Sequence, residues 1–438
     1  MARAYYPLSL EDVEDIEHYR PGGFHPVHLG DIYEGRFKVL HKLGAGGYST
    51  TWLALDTLET RYVALKIVKA SETASCAELQ TLQRLADIET DHPGRAHIRN
   101  LLAYFTIVGP NGKHYCLVTE VAGPILLSLY DAAAPGYARR LRAKTARSIA
   151  RQVTQALGFL HSMQVGHGGK SYGPELVALD LTVPNILLKL KPMDNWTEKD
   201  VYERFGNPRK EVPLTTSKSS SGNSAPRYIV EAAKVPEERF LTEEIFLIDF
   251  GVSFPFEAPP RPQDIGVPFM YRPPETIFDS KYDQSSDLWS LGCLLFEIRA
   301  GIPLFSRFMG TEDEIIRQWV QMKGKLPDAW WCSWNARSSY FDESGKPLLE
   351  GPNGQAMATE YPLDEMISDI GDEDGDMDSE DGSTNERESR ASMLELHGTK
   401  LAEDEARDME DLLTKILRWN PEERMPVEQI LQHRWIAT

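Results

Sequence analysis

No stretch of eighteen or more apolar residues occurs in this 438-residue chain, so no membrane-spanning helix and no membrane partner is expected. The longest apolar stretch, residues 288–298, is broken by Ser290, Gly292 and Glu297 and reads as a buried helix. Cysteine is scarce. Cys76, Cys116, Cys293 and Cys332 are scattered without a CxxC pair, which argues against a disulfide framework or a zinc site and for a reducing, intracellular setting, cytoplasmic or nuclear. The N-terminus turns acidic within MARAYYPLSLEDVED and has no apolar signal core. Positive charge is also short. The 47 Lys and Arg against 66 Asp and Glu leave a net charge of −19, which disfavours nucleic acid as a partner and suits a basic protein substrate. Charge alone is equally what plain solubility produces. Internal repeats are lacking, and a monomer is the expectation.

The hydrophobic fraction of 41% suffices for a large core, and the length fits a two-lobed protein with insertions. Residues 1–36 read as a polar N-terminal extension. Residues 37–121 read mostly as strands, interrupted by one helix carrying Leu79, Leu82 and Leu85. From residue 122 onward the chain turns helical. Ile149, Val153, Ala156, Leu157 and Leu160 mark a long amphipathic helix, and Thr311 with Glu314 forms a capping-box pattern. Pro426 fits the first turn of a final helix. The expected class is α+β, with a strand-rich lobe, a helical lobe at 122–438 and a cleft between them. Two insertions interrupt the second lobe. The one at 192–243 is spacer-like, with a Ser-rich run; the one at 345–400 is partly acidic and includes a tract at 369–390 too poor in apolar residues to fold.

Four elements carry chemistry. Leu43-Gly44-Ala45-Gly46-Gly47-Tyr48-Ser49 lies between two β-like segments, where glycines let backbone N–H groups approach phosphate oxygens. An ordinary hairpin turn explains this run equally well. Lys66 ends the apolar strand Tyr62-Val63-Ala64-Leu65 and precedes Glu78 on the next helix; alone it is an edge lysine. Asp180 and Asn185 stand five residues apart in DLTVPNILL, and Asp249 sits in Ile248-Asp249-Phe250-Gly251. Each Asp alone would serve as a turn or cap residue. Together they supply a proton acceptor and the hard oxygens that Mg²⁺ prefers. Later come Tyr271-Arg272-Pro273-Pro274-Glu275, Ser286-Asp287-Leu288-Trp289-Ser290-Leu291-Gly292 and Asn420-Pro421-Glu422-Glu423-Arg424.

In this order, the elements resemble the protein-kinase family across residues 37–436. The resemblance implies the bilobal eukaryotic protein-kinase fold, ATP and Mg²⁺ as cofactors, and transfer of the γ-phosphate to Ser or Thr of protein substrates. It implies that Lys66, oriented by Glu78, holds phosphates under a loop containing Leu43, Gly44 and Gly46. Adenine would lie near Ala64, with the backbone from Glu120 to Ala122 as hinge and Thr119 as back wall. Asp180 becomes the candidate catalytic base, and Asn185 and Asp249 the metal ligands. Glu275 should pair with Arg424, and Asp287 should brace the catalytic loop. The lead-in at 14–56, the Ser at the third glycine position, the long insertion between Asn185 and Asp249, and Leu326-Pro327-Asp328-Ala329-Trp330-Trp331 are similar to SR-protein kinases, particularly those of filamentous fungi. That group phosphorylates Arg/Ser-rich proteins, which the acidic tract at 369–390 would suit as a dock; a plain solvated loop explains the tract as well.

Three departures from the pattern favour an alternative, a catalytically impaired pseudokinase acting as a binding or scaffold protein. Residues 169–179 separate His167-Gly168 from Asp180, either as a true insertion or as a retained intron beginning at Gly169-Lys170-Ser171. Thr182 replaces a lysine that would neutralise the γ-phosphate. Pro268 replaces a threonine that would hydrogen-bond the catalytic Asp. A small-molecule phosphotransferase ranks lower, because those enzymes lack the Pro-Pro-Glu and late Arg elements. No Arg precedes Asp180, and between Asp249 and Glu275 only Ser253 could take a phosphate among Ser and Thr, so activity should not depend on phosphorylation there.

Overall fold

A computed structural model of the chain describes residues 3–132, 137–163, 176–177, 180–216, 223–234, 236–250, 254–255, 267–306, 311–348, 358–372 and 392–437. The chain divides into two compact units. The first comprises Met1–Glu89, Arg99–Pro124 and Leu187–Thr242; the second comprises Thr90–Ile98, Ile125–Ile186 and Glu243–Thr438.

The first unit is built on an antiparallel sheet of six strands: β1 (Ile32–Tyr33), β2 (Phe37–Ala45), β3 (Ser49–Asp56), β4 (Arg61–Val68), β5 (Leu101–Gly109) and β6 (Gly112–Glu120). Their spatial order is β1-β2-β3-β4-β6-β5. β-Branched and aromatic residues suit a half-buried pleat, and here Val39, Trp52, Val63, Ile67 and Val118 form one buried cluster with Leu65 and Cys116. The turn after β3 is held by Asp56, whose carboxylate accepts the Leu58 and Glu59 N–H groups and a two-pronged bond from Arg36 at 2.6 and 2.7 Å. The helix Ala77–Ala86 buries Leu79, Leu82 and Leu85, the face its spacing predicted.

The N-terminal extension packs rather than trails. Ile16, Tyr19 and Phe24 form a buried cluster with Ile229. Lys42 on β2 is fully buried and paired with buried Glu14, and it also donates to the Val230 carbonyl at 2.9 Å. Burial lowers the Lys42 pKa, and Glu14 opposes that shift.

The insertion at 192–243 differs from its expected spacer character and from its expected place in the second lobe. Met193, Val201 and Phe205 are buried against Leu53, with Leu43, Trp196 and Val121 packed around them. The helix Glu198–Phe205 carries a full capping box between Thr197 and Asp200. The Ser-rich run dominated the composition, but its core, 217–222, lies outside the described residues; the apolar residues on either side set the packing.

The second unit is mainly helical. Ile149, Val153, Ala156, Leu157 and Leu160 are all buried on the long helix Ala143–Ser162. The helix Gln284–Ala300 is buried almost all round, which is why its sequence lacks a polar face. It starts at an Asp283 capping box and stops at Gly301, whose φ of 76° suits glycine; a Cβ there would sit 1.9 Å from the Arg139 carbonyl oxygen. Thr311 accepts the Glu314 N–H at 3.3 Å and opens the helix Glu312–Lys323. Pro426 stands one residue earlier than expected, as the N-cap of Val427–Gln432. Of the acidic tract at 369–390, residues 373–390 lie outside the described residues. Among the described residues no helix is long and apolar enough to cross a membrane.

Candidate active site

On the first unit, β2 and β3 meet in the glycine turn, closed by the Gly46 N–H donating to the Ser49 carbonyl at 2.9 Å. A Cβ at Gly44 or Gly46 would meet nothing within 4 Å, so this surface of the turn is open to a ligand. Leu43 instead packs on the cluster around Leu53 and Phe205. Lys66 lies in β4 opposite Thr51 and Leu117. Its Nζ reaches the Glu78 Oε2 at 2.5 Å, with side chains 23% and 14% exposed, so the pair is neither dry nor freely solvated. Glu78 sits in the first turn of its helix, where a negative charge is favourable.

Ala64, fully buried, pairs in register with Thr119. The Thr119 hydroxyl is buried and has no hydrogen-bond partner among the described residues. Glu120 ends β6, and Ala122 is buried just beyond it. The exit of this strand is tied down by Gly123 N–H to the Leu188 carbonyl at 2.8 Å and Leu188 N–H to the Pro124 carbonyl at 3.0 Å. The sequence reading missed one residue here. Arg99, isolated between Ile98 and Asn100 ahead of β5, donates Nε and Nη2 to the Glu120 main-chain oxygen at 2.9 and 2.6 Å. Burial lowers its pKa to about 10, and Glu78 and Glu120 pull the other way, so it stays charged at neutral pH. A lone Arg at the entrance of an apolar strand was the available signal.

On the second unit, Asn185 donates Nδ2 to Asp180, at 2.6 Å to Oδ2 and 3.0 Å to the main-chain oxygen. The Ile248 N–H donates to the Asn185 carbonyl at 3.0 Å, which brings Asp249 to the same place in the fold. Asp249 adopts a left-handed backbone, φ 66°, a conformation Asp tolerates better than most residues. The Asp180 carboxyl pKa is raised, first by burial and also by Asp249; hydrogen bonds from Asn185 and Thr182 oppose the rise. The Asp180 Oδ1 is buried and has no hydrogen-bond partner among the described residues.

These residues fit a magnesium ion. With its Nδ2 committed to Asp180, Asn185 has its amide oxygen left to offer, and Asp249 adds a carboxylate. No group of three or more His, Cys, Asp and Glu suited to a metal occurs among the described residues. Mg²⁺ needs none, since it usually keeps waters and takes only one or two protein carboxylates.

The departures fall in the same unit. Thr182 is buried beside Asp180, its N–H donating to the Asp180 main-chain oxygen at 3.0 Å, and its side chain opposes the rise in the Asp180 carboxyl pKa. Pro268 precedes a short turn, accepting the Tyr271 N–H at 2.9 Å, and has no hydroxyl to offer. Of the insertion at 169–179, only Leu176–Val177 lies within the described residues; it pairs with Phe254–Pro255. Gly251 and Ser253 lie outside the described residues.

The scaffold around these residues is ionic and buried. Arg424 forks onto Glu275 with two bonds of 2.7 Å and donates to the Ser285 carbonyl at 2.8 Å. Asp287 accepts from Tyr282 at 2.8 Å and contacts His161 Nε2 at 2.9 Å. The part of the catalytic loop that Asp287 was expected to brace, residues 164–175, lies outside the described residues.

Comparison with known proteins places this geometry. The family described as "Protein kinase domain" matches residues 37–189 and 237–436. A serine/threonine-protein kinase SRPK of Physarum polycephalum is 29% identical over 360 residues, covering 77% of this chain and 79% of that protein. A serine/threonine protein kinase of Aspergillus fumigatus is 27% identical over 441 residues, covering 98% and 91%. SRSF protein kinase 3 of Homo sapiens is 40% identical over a shorter span of 156 residues, 35% of this chain and 27% of that one. With most of its length matched and these residues folded as described, this chain belongs to the protein kinase domain family, and the relatives it is similar to are named as SRPK-type and other serine/threonine kinases.

Proposed function

We propose that the protein transfers the γ-phosphate of ATP to Ser or Thr hydroxyls of basic, Arg/Ser-rich proteins. The observation that carries this reading is the Asp180–Asn185 pair beside Asp249, with the Asp180 Oδ1 left without a partner among the described residues. In the proposed reaction the substrate hydroxyl oxygen bonds to the γ-phosphorus as the bond to ADP breaks. Asp180 Oδ1 takes the hydroxyl proton. Lys66, held by Glu78, orients the phosphates, and the open turn at Gly44 and Gly46 covers them. Asn185 and Asp249 would hold Mg²⁺, which supplies charge neutralisation for the phosphates.

Two features support a basic substrate. The net charge of −19 attracts cationic chains. On the second unit, a cavity of about 580 Å³ is lined by Phe278, Glu312, Asp313 and Trp334, among others. Carboxylates beside aromatic faces suit an arginine side chain.

Thr182 and Pro268 favour a second reading, a nucleotide-binding scaffold without transfer. A phosphate-transfer assay on an Arg/Ser-rich peptide, run beside thermal stabilisation by Mg·ATP, separates the two. Transfer that disappears in Asp180→Ala supports the kinase. Stabilisation without transfer supports the scaffold.

A further inference from the structure

The helix Ala143–Ser162 begins against the usual pattern. Its N-cap, Arg142, makes no side-chain cap bond, and its first turn carries no acidic residue. The free N–H groups at such an end favour negative charge. Lys144, Arg147 and Arg151 instead fall at i, i+3 and i+7 on one face, where like charges repel. Lys144 and Arg151 are exposed, and Arg147 is half-buried. Among the described residues none of the three has a carboxylate partner, and the Arg147 Nε is buried without a hydrogen bond. In a chain of net charge −19, an unpaired cationic stripe at this helix end costs stability unless an anion covers it.

The acidic tract leaves and rejoins the fold at the same place. Gly371 lies against Arg140, where an added Cβ would be 3.1 Å from the Arg140 Nη2. On the other side, the Arg142 N–H donates to the Met393 carbonyl at 2.9 Å, and its Nε donates to the Leu394 carbonyl at 3.0 Å. Between these anchors, residues 373–390 hold eight Asp and Glu against two Arg. A stretch of that length reaches up to ~60 Å when extended, and the stripe from Lys144 to Arg151 is about 10 Å long. With both anchors beside the stripe, the tract meets it at an effective concentration of about millimolar.

We propose that the Lys144–Arg147–Arg151 face of this helix is the docking surface for the chain's own acidic tract, residues 373–390. The tract's carboxylates pair with the three cations and with the uncapped N–H groups of the helix. A basic chain that engages the tract therefore competes with this helix. The inference stands apart from the phosphate-transfer reading, and its test does not measure transfer.

The test is trypsin cleavage of the full chain after Arg387, inside the tract, followed by mass spectrometry at low and high salt. At low salt the wild-type chain should be cut there about tenfold more slowly than a variant carrying Lys144→Glu, Arg147→Glu and Arg151→Glu, the combined effect of a few exposed ion pairs. High salt should remove the difference, because it screens exposed charges. Acidic residues suit this end of a helix, so the variant should fold, which its melting temperature checks. If it does not, Lys144→Gln with Arg151→Gln, both at exposed positions, should shift the rate the same way by a smaller factor. Equal cleavage rates in the wild type and a folded variant at low salt overturn the inference. So does protection that persists at high salt. Fast wild-type cleavage, with added poly-glutamate binding the wild type and not the variant, assigns the stripe to an acidic partner outside the chain and overturns the internal contact.

Discussion

Asp180 combines two demands that pull against each other. Its carboxylate must be ionised to accept a proton, yet burial and Asp249 both disfavour the charge. A carboxyl whose folded pKa is raised stabilises the fold below its unfolded pKa, and that contribution is lost as pH rises through the folded value. At pH 7 the ionised Asp180 is therefore a cost to the fold. Asp180→Asn should raise the melting temperature at pH 7 in EDTA, and the gain should vanish as pH falls below the ordinary carboxylate range. The same change should lower phosphate transfer by about 10²–10⁴-fold, the usual worth of general base catalysis. A melting temperature that falls at pH 7 would show that Asp180 is stabilised as an anion instead. Lys66, Asp180, Asn185 and Asp249 could be picked out as candidates in the sequence because each sits in a short motif with its own local pattern. Arg99 was not legible, because its target is a main-chain atom twenty-one positions away.

Among elements, the N-terminal extension is the part whose contribution composition conceals. Residues 1–36 read as polar, yet Glu14 is buried against Lys42 of β2, and Tyr19 donates to the same carboxylate. Removing one partner of a buried pair leaves an uncompensated charge. Glu14→Ala should destabilise the protein by about 3–5 kcal/mol in chemical denaturation. Lys42→Met added to Glu14→Ala should recover most of that loss, since two apolar groups replace a broken pair. If Glu14→Ala is neutral, the extension is not anchored by this pair. The insertion teaches the same lesson. Its Ser-rich run dominates the composition, but Val201 and Phe205 on a capped helix decide where it packs.

For the whole molecule, the excess of carboxylates predicts how substrates are met. Binding of an Arg/Ser-rich peptide should weaken steeply as salt rises, because exposed charges are screened within about 8 Å at physiological ionic strength. Titration of a fluorescent peptide at low and high salt checks this. Affinity independent of salt would place recognition in apolar contacts instead. In the proposed reading, the cavity with Glu312 and Asp313 is the local focus of that attraction, which the net charge alone could not identify.

The sequence alone determined the order of the elements, the α+β class and the candidate residues for the chemistry, since periodicity and short motifs are local properties. Tertiary structure decided what depends on distance through space. It buried Lys42 with Glu14, closed Arg424 onto Glu275, set Asp249 beside Asp180, and moved residues 192–242 into the strand-rich unit. It also aimed Arg99 at the Glu120 carbonyl. Burial and hydrogen bonding depend on which distant segments share a core, and that is not written in any one window of the chain.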